Sequence, residues 1–427
     1  MKTLLTALAL LSACTTNPLS PIRTDDRDFV DQKGTKILLR GINLVEKNPA
    51  LGYIHPDTVG LYDSLAGWGF NCVRLGIIWD GAEPEPGKYD EAYLDKIEVM
   101  VNRLAKRGIY TLLDMHQDLY GRQFSDGAPG WATITDSLPH ATGAIWSDSY
   151  LISPAVQRAF DHFWANTPAP DGIGIQDHYA ALWRHIAERF AGNPAVIGYD
   201  IMNEPFNGSQ GGGILPAMLT AYAAELAMAT GRILKEEEIL EIWGDEEKRI
   251  EALKFLEDPE RYGRVVDAAA ALNAEFERSA LQSMYQRVAD AIRTFDTAHI
   301  LFLEHAYFAN TGLQTAIEPV KRADGTRDPL VAYAAHGYDL LTDTKQVDAQ
   351  STGRVDLIFS RIHEASVRMN VPVLVGEWGA FHGNTPGLAD AAKHIVGLFR
   401  RYGFSDTYWA YYAGVEGDSY FEEVIGE

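Results

Sequence analysis

Two glutamates far apart in the chain are each delivered to a loop by a strand of the same design. Val196-Ile197-Gly198-Tyr199-Asp200-Ile201-Met202-Asn203-Glu204-Pro205 is an apolar, β-branched run with Asn193-Pro194 upstream and Phe206-Asn207-Gly208 downstream. It reads as a buried strand that ends in a carboxylate flanked by a carboxamide. Val371-Pro372-Val373-Leu374-Val375-Gly376-Glu377-Trp378-Gly379 repeats the design around a second carboxylate. In a parallel barrel the two strand ends meet at one mouth, and a facing pair of carboxylates is what hydrolysis of a glycosidic bond with retained configuration requires.

The rest of the chain supplies strands to complete such a barrel. Residues 29–36 alternate around Lys33-Gly34 like a short hairpin suited to plug the floor, and 38–44 is the first barrel strand, followed by the polar loop Glu46-Lys47-Asn48-Pro49. Helix 58–67 precedes strand 72–78, and helix 93–107, closed by Gly108, precedes strand 109–115, which ends in His116-Gln117-Asp118. The crossover 119–167 carries Trp131, Trp146 and Trp164 among several Gly and Pro and is expected to form a structured cleft wall. Helix 177–190 then leads into the strand that ends in Glu204.

Gln210-Gly211-Gly212-Gly213 opens an insertion spanning about 208–276: small and apolar over 214–229, acidic over 236–260. One reading is a surface helical subdomain with one buried and one charged face. The other is an apolar helix leaning over the site to accept a lipid tail. Helix 282–295 and strands 300–305, 331–338, 371–379 and 407–412 complete eight strands, so an α/β chain folded as a (β/α)8 TIM barrel is predicted. Helical insertions lie over its C-terminal face, the last helix is short or missing, and no C-terminal β-sandwich domain is expected.

Six short motifs fall in barrel order: Val73-Arg74-Leu75, Asp114-Met115-His116, Asn203-Glu204-Pro205, His336-Gly337-Tyr338, Gly376-Glu377-Trp378 and Tyr408-Trp409. This set resembles glycoside hydrolase family 5, in the clan of retaining glycosidases that includes cellulases. The resemblance implies that Glu204 is the acid/base and Glu377 the nucleophile, with Arg74 and Tyr338 holding Glu377 charged. It also implies that Asn203 binds the sugar 2-OH, that Trp409 offers a flat face to the sugar ring, and that His116 and His336 bind hydroxyls or brace Glu204. The two carboxyl groups should stand about 5 to 5.5 Å apart. Glu46-Lys47, Asp114-Met115-His116-Gln117-Asp118-Leu119-Tyr120, Gly127-Ala128-Pro129-Gly130-Trp131 and His336-Gly337-Tyr338-Asp339 are similar to endoglycoceramidases and related glucosylceramidases of that family. By that resemblance Lys47, Asp118 and Trp131 hold the sugar next to ceramide.

The 427 residues, 46% hydrophobic and 11% aromatic, suffice for one large core, and 37 basic against 59 acidic residues give a net charge of −22. That balance argues against nucleic acid and against an anionic membrane surface as partners. No metal-ligand spacing surrounds His305 or His336, and neither a metal nor a cofactor is expected. Met1-Lys2, an apolar run and Leu11-Ser12-Ala13-Cys14 resemble a bacterial lipoprotein signal. Residues 1–13 are then the signal, Cys14 is lipidated, 14–28 form a tether and 29–427 the catalytic barrel, anchored in the cell envelope by that lipid alone. With Thr15 following Cys14, sorting would be to the outer membrane of a host with two; the remaining reading is a secreted protein. Cys72 is expected as a small buried hydrophobe, and no later apolar run reaches the roughly 18 residues of a bilayer span. The leading expectation is a retaining β-glycosidase for glycosphingolipids, with a glycolipid or oligosaccharide as partner and the oligomeric state open. A cellulase-like endo- or exo-β-glucanase and a non-catalytic glycan-binding surface lipoprotein are the alternatives.

Overall fold

The computed structural model describes residues 19–425 except 57 and 59. The signal, Cys14 and the start of the tether lie outside the described residues. β1 (Arg23–Asp25), β2 (Asp28–Val30) and β3 (Lys36–Ile37) form a small antiparallel sheet. Eight parallel strands follow: β4 (Arg40–Leu44), β5 (Cys72–Ile78), β6 (Tyr110–His116), β7 (Val196–Asp200), β8 (Ile300–Leu303), β9 (Val331–Gly337), β10 (Val373–Trp378) and β11 (Ser405–Tyr408). Each pairs with the next and β11 returns to β4, so the barrel is closed.

Side chains alternate along a strand, so every second residue enters the barrel. The lower inward layer is apolar: Cys72, Leu112, Phe302, Ala334 and Leu374 pack together, and the small sheet caps them from below, Phe29 stacking on Phe302 at 5.9 Å. The hairpin expected at the floor is therefore there. Two residues further along the same strands the inward positions turn polar: Arg74, Asp114, Glu304 and His336, with Asp200 on β7. Gly376 completes that layer on β10, where a Cβ would come within 3.0 Å of His336 Nε2 and 3.5 Å of Arg74 Nε. The charged groups are seated on a dry floor, a few ångströms below the mouth.

Outer helices cover the strands with apolar faces, among them Glu91–Ala105, Ile175–Phe190, Thr352–Met369 and Pro386–Tyr402. Asp90 and Ser351 cap two of them by accepting backbone N–H groups of the first turn. The segment after β11 ends in the short helix Phe421–Ile425, as expected, and no β-sandwich occurs among the described residues.

Two regions differ from the sequence reading. The crossover 119–167 contains the helix Pro154–Trp164, begun by Ser153 as N-cap and Pro154 in the first turn. The insertion is five helices, Ile214–Thr230, Glu236–Gly244, Glu246–Phe255, Pro259–Asp267 and Ala270–Phe276. In the first of these, Glu225 is the one charged residue, and both of its oxygens are taken by Arg264 at 2.7 and 2.9 Å. A charged face is absent from this helix; the charges gather on Glu246–Phe255 instead. Contrary to the expectation that no later run is long enough, Gly208–Thr230 reaches 23 residues and passes for a bilayer span by length and composition. It lies instead along the barrel mouth, Ile214 and Tyr222 buried and Met228 73% exposed.

Candidate active site

Arg74 is the hub. It is fully buried on β5, and its Nη1 donates to Glu377 Oε1 at 2.8 Å and to Asn43 Oδ1 at 3.1 Å. Nε donates to Asp200 Oδ2 at 2.8 Å, while Nη2 donates to Glu304 Oε1 and Asn203 Oδ1, each at 2.9 Å, and lies 2.9 Å from Asp114 Oδ1. Burial disfavours the guanidinium charge, but Asp114, Asp200, Glu304 and Glu377 together hold its pKa well above the usual value. Burial raises the pKa of all four carboxylates, Asp114 and Asp200 to about 6, while Arg74 and the charged His336 ring pull each of them back toward the ionised form.

Glu377 is gripped at both oxygens, since Tyr338 Oη donates to Oε2 at 2.9 Å. That leaves a carboxylate fixed in orientation, and both donors favour its charged form. Glu204 takes both of its side-chain bonds on Oε1, from Asn310 Nδ2 at 2.6 Å and beside His336 Nδ1 at 3.0 Å. Its Oε2 has no partner among the described residues. Glu204 also has φ +44°, the left-handed region, which costs a non-glycine residue roughly 1–2 kcal/mol. Its backbone N–H is held there by Glu304 Oε2 at 2.8 Å.

His336 bridges the pair, its Nδ1 also lying 3.6 Å from Glu377 Oε2, and an oxygen of each glutamate lies within 4.8 Å of the other and of this ring. So close an approach is in keeping with the short carboxyl separation, about 5–5.5 Å, of retaining glycosidases. Burial alone would lower the His336 pKa, but Glu304, Glu377 and Glu204 raise it well above the ordinary value, so the ring carries charge. His116 is the opposite case. Burial and Lys47 hold it well below the ordinary value, so its neutral ring gives Nδ1–H to Asp114 Oδ2 at 2.8 Å and keeps Nε2 buried and without a hydrogen-bond partner among the described residues. It stacks on Trp409, centroids 5.1 Å apart.

Lys47 pairs with Asp118, lies 4.0 Å from Asp126 and sits 4.6 Å over the Trp409 ring. Asn203 is anchored by Arg74 at Oδ1 and donates from Nδ2 to the Gln117 carbonyl at 3.0 Å. The structure thus brings Lys47, Arg74, His116, Asp118, Asn203, Glu204, His336, Tyr338, Glu377 and Trp409 together. It does not bring Trp131 to the cavity. That indole N–H is spent on the Glu83 carbonyl at 3.1 Å, and its ring packs edge-on against Trp79 and His178. Of the three crossover tryptophans Trp146 lines the cavity, and Trp164 pins the loop after Glu204 through the Phe206 carbonyl at 2.9 Å.

The cavity holds about 580 Å³. Glu204, Glu377, Lys47, Asp118 and Trp409 make its polar end, while Phe124, Ile145, Trp146, Leu215, Met218 and Phe308 contribute an apolar wall from the crossover, the insertion and the segment after β8. Three buried acidic groups are close enough for a cation, but Arg74 already serves Asp114, Asp200 and Glu304, Lys47 serves Asp118 and Asp126 beside His116, and the third group is the glutamate pair with His336. Each cluster already holds a cation of the protein, Arg74, Lys47 or His336. Glu304 and Asn310 were not singled out from the sequence; for Glu304 the signal was its place at a strand end beside His305.

The family model for cellulases, glycosyl hydrolase family 5, matches residues 30–414. Endoglycoceramidase I of Rhodococcus hoagii (strain 103S) is 34% identical over 203 residues, covering 45% of this chain and 38% of that protein. Endo-glycoceramidase II from Rhodococcus sp., solved as a lactosyl-enzyme intermediate, is 30% identical with a TM-score of 0.65 over 92% of this chain and 75% of that one. Its ganglioside GM3 complex gives 29% identity and a TM-score of 0.66 over 90% and 76%. The matches to the first three curated relatives span only 38–42% of their lengths. All eight barrel strands and both strand-end glutamates fall inside the matched residues, and the chain belongs to glycosyl hydrolase family 5.

Proposed function

We propose that the chain is a retaining β-glycosidase that cleaves glycosphingolipids between sugar and ceramide. One observation carries the reading: a glutamate pair with an oxygen of each within 4.8 Å of the other opens into a cavity that carries an apolar wall of Phe124, Ile145, Trp146, Leu215, Met218 and Phe308 beside its polar groups. Glu377 attacks the anomeric carbon while Glu204 protonates the leaving oxygen, giving a glycosyl ester. Water then attacks that ester, and Glu204 takes its proton. Arg74 and Tyr338 hold Glu377, Asn203 binds the 2-OH, His116 offers Nε2 and Trp409 a face to the sugar, and Lys47 with Asp118 grips the unit next to the lipid. The apolar wall takes the aglycone. The solved relatives named for a lactosyl-enzyme intermediate and a ganglioside complex support this reading.

The description of the family model favours a second reading, a β-glucanase. Mass spectrometry of products from glucosyl- and galactosylceramide, gangliosides and β-glucans separates them: free ceramide with an intact sugar or glycan is expected, and turnover of β-glucans alone overturns the lipid assignment. We further propose residues 1–13 as a signal, Cys14 as a lipid anchor to the bacterial envelope and 14–28 as the tether of a catalytic unit 29–427. Cys14→Ser should then move the chain from the membrane to the soluble fraction.

A further inference from the structure

Glu304 has no part in the reaction as drawn, yet it touches more of the machinery than any substrate-facing group. It is fully buried at the inward position just beyond β8, one step above Phe302 on the dry floor. Oε2 accepts the backbone N–H of Glu204 at 2.8 Å, the bond that holds that residue at φ +44°. Oε1 accepts Arg74 Nη2 at 2.9 Å, and Arg74 in turn holds Glu377. The same oxygen stands 3.2 Å from His336 Nε2, at the far side of the ring whose Nδ1 meets Glu204 Oε1. One carboxylate is thereby in contact with the backbone of the acid/base, the ring that braces it and the arginine that orients the nucleophile.

We infer that Glu304 is a positioning residue that sets the acid strength of Glu204 through His336 and through the Glu204 backbone, an inference that rests on the roles proposed above for Glu204 and Glu377. With its negative charge at Nε2, Glu304 keeps His336 charged and donating from Nδ1. When Glu204 gives its proton to the leaving oxygen, the new carboxylate is met by that N–H and by Asn310 Nδ2–H. When Glu204 recovers a proton from water, the same donors hold its other oxygen toward the cavity. Glutamine cannot replace this carboxylate. Its single carbonyl can serve either the Glu204 N–H or the Arg74 and His336 side, and its NH₂ then faces a donor on the other. The groups that also face this pair are Arg74 from β5, Asp114 from β6, Asp200 from β7, His305 beyond β8, Tyr338 beyond β9 and Glu377 from β10. Glu304→Gln and Glu304→Asp share these groups and differ in the charge at position 304, so a profile changed in the first and restored in the second reports Glu304.

The test compares Glu304→Gln and Glu304→Asp with the full chain, after thermal melts establish folding, on a dinitrophenyl β-glycoside, which needs no acid, and on its phenyl counterpart, which does. Glu304→Gln is expected to lose roughly 10²-fold in kcat/KM on the phenyl substrate and about tenfold less on the dinitrophenyl one. Without Glu304 the His336 ring gives up its charge, and an acid that has lost an adjacent cation keeps its proton to higher pH, so the basic limb of its pH profile should move to higher pH by about half a unit or more. Glu304→Asp keeps the charge and should return that limb to the wild-type position even with a lower rate. Equal losses on both substrates, an unmoved limb in Glu304→Gln, or a limb displaced as far in Glu304→Asp would each overturn the inference alone. A wild-type chain inactive on every β-glycoside would overturn the proposed function and this role with it.

Discussion

At Arg74 a five-donor fork meets four carboxylates and two carboxamides, and a lysine cannot reproduce that geometry with one point charge. The residues that do the proposed chemistry hang from it, and their roles separate by experiment. Glu377→Gln should lower kcat/KM by at least about 10³-fold and abolish labelling by a 2-fluoro sugar, with the wild-type adduct on the peptide containing Glu377; an adduct elsewhere would reassign the nucleophile. Glu204→Ala should cost about 10²–10⁴-fold on a poor leaving group and far less on an activated one; equal losses would remove it as the acid. The placement of Glu204, Glu377, His336 and Tyr338 at or just beyond strand ends, and of Arg74 within β5, was legible from the strand patterns that carry them. Asn310 was not, since it reaches Glu204 from a turn after β8 whose sequence carries no mark of that contact. Trp131 was misjudged because sequence shows that an aromatic is near a loop but not which carbonyl takes its N–H.

At the level of elements, the eight strands were legible to within a few residues, because burial on both faces of a barrel strand leaves near-continuous apolar runs, while the helices Thr352–Met369 and Pro386–Tyr402 were not assigned. The helix Pro154–Trp164 was not separated from the expected cleft wall, although Ser153-Pro154 and the spacing of Val156, Ala159, Phe160 and Phe163 mark it. The helix Ile214–Thr230 was harder. An apolar stretch without a polar face reads equally as core or as interface, and only the fold shows that Leu215 and Met218 reach the cavity while Met228 stays outside. If this helix holds an aglycone tail, Met218→Asp should raise KM for a ceramide-linked glycoside by about tenfold, the loss of roughly 1.5 kcal/mol of apolar contact, and leave a small aryl glycoside within about twofold. Parallel losses on both substrates would assign the helix to stability alone.

For the whole molecule, the buried acids fix how stability depends on pH. Burial raises Asp126 and Glu277 to about 7, so the folded chain keeps protons that the unfolded chain has already released. Their contribution is complete below the ordinary carboxylate range and is lost as pH rises through about 7. His305, held near 3 by burial and the neighbouring His336, acts the other way, but its effect is exhausted above the ordinary 6.5. The melting temperature should therefore fall by at least about 3 °C between pH 6.5 and 8.5, measured at constant ionic strength; a rise would show that these carboxyls are ionised in the folded chain. Cys72 lies at the other end of the barrel from this chemistry, packed against the floor hairpin's neighbours with its thiol raised by burial. An alkylating dye can reach it only when the base of the ring parts, so the rate of its modification clocks whole-barrel breathing, undisturbed by events at the mouth.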